Sequence, residues 1–205
     1  MRAILLDLDR TLIDIQSYTD YSAALADVTR ELGEIPEMET PLTGWDRPTV
    51  RCMQILGVLA GDRRWEVASS LIERHELAAL PRSRPMPGLR ELNEALGTLP
   101  SAVVTLLGPA ATRQVLDMHG VNTPVAVPRR ADLRPKPAPD QLEESCRLLG
   151  VEPGDSLMVG DSTWDREAAA AAGIGFIGVT NHRGSEFPAG TATVDDLTDL
   201  VPRLR

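Results

Sequence analysis

The stretch AILLDLDRTL, residues 3–12, decides which fold we expect for this chain. It begins as a continuous apolar run and ends in two aspartates, Asp7 and Asp9. Apolar runs without alternation are typical of strands that are buried on both faces of a parallel sheet. Ligands of open α/β sheets bind beyond the carboxyl ends of the strands. Two carboxylates this close also repel each other unless a cation joins them, so the end of this strand is a candidate site.

Four more apolar runs follow later in the chain, and helical patterns separate them. The runs are SAVVTLL (101–107), TPVAVP (123–128), SLMVGD (156–161) and GFIGVT (175–180). Three of the helical patterns stop at a glycine, namely Gly120, Gly150 and Gly173. A glycine just after the last periodic residue is a helix-stop signal. Strand–helix alternation on this scale predicts an α/β fold with a doubly wound, Rossmann-like parallel sheet.

One region interrupts this alternation. Between about residues 15 and 86 we find no convincing strand, and three segments there have the periodicity of amphipathic helices. They are YSAALADVTRELG, PTVRCMQILGVLAG and RRWEVASSLIERHELAAL. The stretch PRSRPMPG (81–88) has the composition of a linker. We therefore expect an α/β core made of residues 1–14 and 87–205, with an all-helical domain inserted at residues 15–86.

Composition narrows the class of protein. The chain has 205 residues, of which 42% are hydrophobic and 25% charged, and its net charge is −9. This length allows a substantial core. The acidic balance and the lack of a basic stripe argue against nucleic acid and anionic membranes as partners. Two cysteines are too few for a disulfide framework, and no signal peptide or spanning run is found. We expect a cytoplasmic protein.

Three other polar clusters lie where the predicted strands end. Thr105 comes late in its apolar run, Lys136 lies in RPKPAPD (134–140), and Asp161 and Asp165 lie in GDSTWD. Each has an ordinary structural explanation when taken alone, such as helix capping for an aspartate or solvent exposure for a lysine. Together they would bring carboxylates, a hydroxyl and an ammonium into one crevice. Carboxylates with room for water suit Mg²⁺.

The order and spacing of these clusters resemble the haloacid dehalogenase-like hydrolase superfamily. DLDRTL is similar to its first motif, Thr105 to the second, RPKPAPD to the third and VGDSTWD to the fourth. The resemblance extends from Met1 to about Asn181. The inserted helices then look like the cap domain of the family. The resemblance implies a small phosphorylated metabolite as substrate and Mg²⁺ as cofactor.

The resemblance also implies roles in catalysis. Asp7 would be the nucleophile that forms an aspartyl-phosphate. Asp9 would be the general acid for the leaving group and then the base for the attacking water. Thr105 would bind the phosphoryl oxygens through its hydroxyl, and Leu106 through its backbone N–H. Lys136 would contact both the nucleophile and the phosphoryl group.

The metal site is carried over in the same way. Asp7 and Asp161 would bind Mg²⁺ through their carboxylates, and Asp9 through its main-chain carbonyl. Asp165 would support the site, either as an outer ligand of the metal or as the partner of Lys136.

Lys136 is the only lysine among 21 basic residues, so its position calls for a reason. An ammonium is a compact charge with three donors that can turn, whereas a guanidinium is a broad planar fork. A site crowded by a carboxylate nucleophile, a phosphate and a metal has room for an ammonium but not for a guanidinium. We therefore expect Lys136 to lie inside the site.

Two arginines remain open. Arg10 stands where the family usually has glycine, and it would face either the inserted helices and substrate or solvent. LTGWDRPTV (42–50) resembles the substrate-specificity loop of the family, with Gly44 in its usual place. Arg47 falls where the sugar-phosphate mutases of the family bind a distal phosphate, and the alternative is a surface ion pair. Packing is the favoured role for Trp45.

The function that we expect is a Mg²⁺-dependent phosphatase of a small metabolite. A mutase of the β-phosphoglucomutase type is the nearest alternative, and the lack of Ser-Lys after Thr105 argues against it. A true dehalogenase would not need so complete a metal site. A binding protein without turnover is the alternative from another class. The sequence is compatible with either a monomer or a homodimer.

Overall fold

A six-stranded parallel sheet forms the centre of the protein in a computed structural model, which describes residues 1–97, 99–183 and 186–204. The order of its strands is β5-β4-β1-β6-β7-β8, and every pair is parallel. The strands, together with a separate two-stranded ribbon β2–β3, are β1 (Ala3–Leu6), β2 (Ile13–Asp14), β3 (Arg84–Pro85), β4 (Ser101–Val104), β5 (Val125–Val127), β6 (Ser156–Gly160), β7 (Gly175–Val179) and β8 (Thr193–Val194). The predicted α/β fold class is confirmed.

Each of the five predicted strands is present, but it is shorter than its apolar run and ends before the last residues of the run. β1 stops at Leu6, so Asp7 lies just past it, and β4 stops at Val104, just before Thr105. This places the polar residues at the carboxyl edge of the sheet, where α/β proteins bind ligands.

Eight α-helices are found in the described ranges. They are α1 (Tyr21–Leu32), α2 (Arg47–Val58), α3 (Trp65–Ala79), α4 (Leu89–Leu96), α5 (Pro109–His119), α6 (Asp140–Leu149), α7 (Thr163–Ala172) and α8 (Leu197–Leu200). The three predicted stop glycines end α5, α6 and α7 with φ values of 64°, 67° and 71°. This left-handed conformation has no steric cost for glycine. No helix in these ranges is long and apolar enough to cross a membrane.

The sheet has helices on both faces, as the unbroken apolar runs predicted. Ile4 and Leu6 of β1 belong to a cluster with side chains of α4, α5 and α8. Leu5 points the other way and belongs to a cluster with side chains of α6 and α7. These three residues have no exposed surface, and each contributes about 1.5–3 kcal/mol through burial. Ala168 and Ala169, from the run of alanines in α7, are buried against the same face.

Helices α1, α2 and α3 form a layer of their own beside the carboxyl edge of the sheet. Their apolar side chains make a separate cluster, which the core residue Trp164 joins. The expectation of no strand between residues 15 and 86 is wrong at one place, because Arg84–Pro85 pairs antiparallel with Ile13–Asp14. This ribbon joins the two ends of the helical region, where the backbone leaves the sheet and where it returns. Its two strands are too far apart in sequence for local periodicity to reveal that they pair. We call residues 15–86 the helical segment, and its status as a separate domain stays a prediction.

Candidate active site

Lys136 lies at the centre of the polar residues that the sheet brings together. Its Nζ donates to Asp7 Oδ1 at 2.7 Å, to Asp165 Oδ1 at 2.6 Å and to the carbonyl oxygen of Val104 at 3.1 Å. Only 2% of its surface is exposed. Burial opposes the charge of Lys136, but the carboxylates of Asp165 and Asp7 together raise its pKa above the ordinary value. The ammonium therefore stays charged and uses all three of its donors.

Gln141, which the sequence analysis missed, holds the loop of Lys136 against the sheet. The backbone N–H of Lys136 donates to Gln141 Oε1 at 3.3 Å. Gln141 Nε2 donates in turn to the carbonyl oxygens of Thr105 at 2.9 Å and Val127 at 3.3 Å. This fully buried amide joins two of the predicted clusters. Its only sequence signal is its place in the first turn of α6, immediately after RPKPAPD.

Asp7 is buried and Asp9 half-buried just past β1, and their surroundings differ. Burial raises the pKa of Asp7, and the neighbouring ammonium of Lys136 works against this rise. Asp9 turns toward the start of the helical segment, where its Oδ1 accepts from the N–H groups of Ile15 at 3.0 Å and Gln16 at 2.9 Å. Burial raises the pKa of Asp9 to about 8, although these two hydrogen bonds lower it. Asp9 is therefore the better proton donor at neutral pH.

Three carboxylates could hold a divalent cation. One oxygen each of Asp7, Asp161 and Asp165 lies within 4.8 Å of the other two. Burial, followed by the charges of Asp7 and Asp165, raises the pKa of Asp161 well above its ordinary value. Carboxylate oxygens are the hard donors that Mg²⁺ prefers. The three carboxylates also carry more negative charge than the neighbouring cations balance, so the cluster fits this ion. The carboxylate of Asp9 is not part of this group among the described residues; its expected contribution was the main-chain carbonyl.

Asp165 is fixed on both sides of its carboxylate. Its Oδ1 accepts from Lys136, and its Oδ2 accepts from the backbone N–H of Ser162 at 3.1 Å and from the Ser162 hydroxyl at 2.6 Å. This is a capping box at the start of α7. Gly160 makes room for it, since a Cβ there would lie 2.5 Å from Asp165 Cγ. This arrangement fits the supporting role better than direct metal binding.

Arg10 pairs with the candidate metal ligand Asp161. Its Nε lies 3.4 Å from Asp161 Oδ2, and 15% of its side chain is exposed. The sequence left open whether Arg10 faces the inserted helices and substrate or solvent. The side chain turns mainly to Asp161 instead, so neither alternative fits well. Its φ of 62° lies in the left-handed region, which explains the usual glycine at this position.

Thr105 and Leu106 form a loop between β4 and α5 that faces the aspartates. The Thr105 hydroxyl accepts from the N–H of Leu107 at 3.1 Å, and the residue is 1% exposed. The carbonyl of Leu106 accepts from Arg129 Nη1 at 2.7 Å, while its N–H has no acceptor among the described residues. The loop therefore leaves a donor for an incoming anion, as the resemblance implied.

Helix α3 fastens this loop through a buried ion pair that the sequence analysis also missed. Arg129 Nη1 lies 2.6 Å from Glu76 Oε1, and the two side chains are 1% and 0% exposed. Glu76 Oε2 accepts from the N–H of Gly108 at 3.0 Å, and Arg129 Nε donates to Ser69 Oγ at 2.9 Å. Glu73 accepts from two N–H groups at the start of α5. The signal in the sequence is the helical spacing of the three α3 residues.

A small, partly open cavity of about 30 Å³ lies beside the aspartates and Lys136. The α/β core and the helical segment both contribute to its wall, which consists of Asp7, Asp9, Gln16, Tyr21, Trp45, Thr49, Met53, Thr105, Leu106, Leu107, Lys136 and Asp161. Trp45 also packs on Trp164, with ring centroids 5.1 Å apart. The packing role expected for Trp45 is thus present, and the same residue lines the cavity.

Arg47 does not contact the cavity in this structure. Its side chain is 89% exposed and its Nη2 lies 3.6 Å from Glu37 Oε1, so the surface ion pair is the alternative that is found. The reason is helix phase. Asp46 caps α2, Arg47 is the first helical residue, and each residue turns the side chain by about 100°. Thr49 therefore faces the cavity while Arg47 faces an outer groove.

The fold and the buried lysine–carboxylate cluster define an α/β protein with a candidate active site, and comparison with known proteins gives the family. The family model described as haloacid dehalogenase-like hydrolase matches residues 1–173. The chain therefore belongs to the haloacid dehalogenase-like hydrolases, as its motifs predicted.

Curated relatives narrow the class further. A phosphoglycolate phosphatase of Pseudomonas putida is 28% identical over 221 residues, which cover 98% of this chain and 79% of the relative. A phosphoglycolate phosphatase of Nitrosospira multiformis is 30% identical over 192 residues, which cover 84% of this chain and 80% of the relative. With the family, these relatives place the chain among the phosphoric monoester hydrolases.

Solved structures share the fold. CbbY of Rhodobacter sphaeroides in complex with phosphate has a TM-score of 0.69 at 19% identity, with 98% of this chain and 96% of that chain covered. A hydrolase of Pseudomonas syringae has a TM-score of 0.69 at 22% identity, with 98% and 97% covered. At such identities the likeness concerns the fold alone.

Proposed function

We propose that this protein is a Mg²⁺-dependent phosphatase that hydrolyses a small phosphorylated metabolite through an aspartyl-phosphate on Asp7. The observation that carries the proposal is the ammonium of Lys136, buried between the carboxylates of Asp7 and Asp165 at a small cavity. A carboxylate and a cation in contact suit phosphoryl transfer, which depends on positioning and on neutralising the charge of oxygens.

In the first half of the reaction a carboxylate oxygen of Asp7 forms a bond to phosphorus, and the ester P–O bond breaks. Asp9 gives its proton to the departing ester oxygen. The raised pKa of Asp9 keeps that proton available at neutral pH. Thr105 and the N–H of Leu106 bind the phosphoryl oxygens, and Lys136 neutralises the charge they share with Asp7.

In the second half Asp9 takes a proton from water as the water oxygen bonds to phosphorus. The bond between Asp7 and phosphorus breaks, so the carboxylate is restored and inorganic phosphate leaves. Asp7 and Asp161 would hold Mg²⁺ with the main-chain carbonyl of Asp9, and Asp165 would support them. When bound, the ion supplies positive charge to the phosphoryl oxygens.

The helical segment would act as a lid over this reaction. The cavity has room for about two water-sized groups, which is less than a phosphorylated metabolite needs, so we expect the segment to move outward when a substrate enters. Closure would then keep bulk water away from the aspartyl-phosphate until Asp9 activates a single water.

A panel of about a hundred phosphorylated metabolites, chosen to cover the classes of small monoester that the relatives suggest, tests the proposal by release of phosphate. Phosphoglycolate belongs in the panel because two curated relatives carry that name. We expect Mg²⁺-dependent release from at least one compound. A mutase would convert a sugar monophosphate without net release, and a binding protein would do neither.

A further inference from the structure

The hydroxyl of Thr49 is an unused polar group in the wall of the cavity. Thr49 lies in the first turn of α2 and is 3% exposed. Its backbone N–H donates to Asp46 Oδ1 at 2.8 Å, but its Oγ1 has no hydrogen-bond partner within the described residues. Buried hydroxyls are nearly always paired, and leaving one unpaired lowers stability. Thr49 also belongs to the wall of the cavity, so a substrate that displaces the wall slightly can reach this hydroxyl.

The part of the wall that the helical segment provides carries no positive charge. Its side chains are those of Gln16, Tyr21, Trp45, Thr49 and Met53. These are neutral groups, and three of the five are aromatic or apolar. A second anion on the substrate would therefore be buried against them without a cation, which is costly.

The basic residues in or beside the site are already engaged or lie outside the cavity, and Arg129, behind Leu106, pairs with Glu76. Lys136 has its donors on Asp7, Asp165 and Val104. Arg10 pairs with Asp161. Arg47 is the arginine expected to bind a distal anion, and it pairs with Glu37 on the surface.

We infer that the part of the substrate released with the ester oxygen is small, uncharged and hydroxyl-bearing, and that Thr49 Oγ1 hydrogen-bonds to this hydroxyl. This inference rests on the proposed function and deepens it. The substrate class is the monophosphate of a short alcohol or polyol. Trp45 and Met53 cover its carbon atoms, and Thr49 is the residue that distinguishes it from a phosphorylated carboxylic acid.

Three substrates of nearly equal size test the inference on the native enzyme with Mg²⁺. They are 2-hydroxyethyl phosphate, ethyl phosphate, which lacks the hydroxyl, and phosphoglycolate, which carries a carboxylate in its place. We expect kcat/KM for 2-hydroxyethyl phosphate to exceed that for phosphoglycolate by about 10-fold or more, since a neutral wall leaves the carboxylate unpaired.

Variants then isolate the hydrogen bond. Thr49→Val keeps the shape and removes the hydroxyl, so it should lose about 10-fold in kcat/KM on 2-hydroxyethyl phosphate and almost nothing on ethyl phosphate. Thr49→Ser keeps the hydroxyl and should retain the preference. Thr112→Val is the matched control, because Thr112 of α5 is also buried with an unpaired hydroxyl but does not line the cavity. It should change neither rate.

Two results would overturn this inference alone. One is a preference for phosphoglycolate over 2-hydroxyethyl phosphate in the native enzyme, which needs no variant to fold. The other is an equal loss on 2-hydroxyethyl and ethyl phosphate in Thr49→Val, which would give Thr49 a role in shape only. Hydrolysis of other panel compounds but of none of these three esters would also overturn the inference and leave the proposed function standing, whereas no release from any compound of the panel would overturn both.

Discussion

Lys136 donates a 2.7 Å hydrogen bond to Asp7 from 129 residues further along the chain. The sheet makes this contact, because β1 carries Asp7 and its neighbour β4 accepts from the same ammonium through Val104. Lys136 is thereby fixed against the proposed nucleophile on a rigid frame. The use of the only lysine of the chain at this point has a physical reason, since three donors of one small group reach three separate acceptors.

The first prediction concerns that choice of cation. Lys136→Arg should lose roughly 10²-fold or more in kcat/KM on p-nitrophenyl phosphate, nearly as much as Lys136→Ala, because the planar guanidinium cannot reach the same three acceptors. Arg134→Lys is the matched control, since Arg134 pairs with Asp140 on the surface of the same loop. A Lys136→Arg rate within a few-fold of the native rate would mean that charge alone is enough.

The second prediction concerns the metal. Asp161→Ala removes a carboxylate from the cluster with Asp7 and Asp165, so the Mg²⁺ concentration for half-maximal activity should rise strongly. EDTA should stop the native enzyme. Addition of Mg²⁺ should raise the melting temperature of the native protein, because a ligand that binds the folded state stabilises it, and should do so less in the variant. Full activity without metal would contradict the metal site.

The third prediction concerns the buried ion pair behind the phosphoryl loop. Arg129→Met should destabilise the protein by about 3–5 kcal/mol, because Glu76 is left buried and unpaired. Replacing both residues by methionine should recover much of that loss. The double variant should still have a lower kcat/KM, since the carbonyl of Leu106 has lost its donor.

Urea unfolding and p-nitrophenyl phosphate kinetics measure the two effects separately. The control is Arg130→Met, because Arg130 pairs with Asp132 at the surface and should change stability by less than about 1 kcal/mol. A double variant that is as unstable as Arg129→Met alone would contradict this account, and native kinetics in it would remove the positioning role.

The α/β fold could be predicted because each step depends on local pattern. Unbroken apolar runs predicted the strands, and Gly120, Gly150 and Gly173 predicted the ends of three helices. The polar residues that the motifs singled out also meet at one edge of the sheet, with Lys136 between Asp7 and Asp165. Their roles in catalysis and metal binding stay predictions.

The rest depended on how elements lie relative to one another, which local patterns alone do not give. For Arg47 the sequence left substrate contact and a surface ion pair open, and the start of α2 turns its side chain outward to Glu37. The pairing of Arg129 with Glu76 joins distant parts of the chain, and charged residues are rarely buried in this way. The hydroxyl of Thr49 has meaning only once the cavity beside it is known.

The covalent intermediate on Asp7 is the central claim, and chemical trapping tests it most directly. The enzyme would be mixed with p-nitrophenyl phosphate and Mg²⁺, quenched in acid and treated with borohydride, which reduces an aspartyl-phosphate to homoserine with release of phosphate. Peptide mass spectrometry would then locate the product, with Asp7→Asn as the inactive but folded control. We predict homoserine in place of Asp7 in the native enzyme and none in the control. Rapid turnover without any homoserine at position 7, or undiminished turnover in Asp7→Asn, would contradict the account.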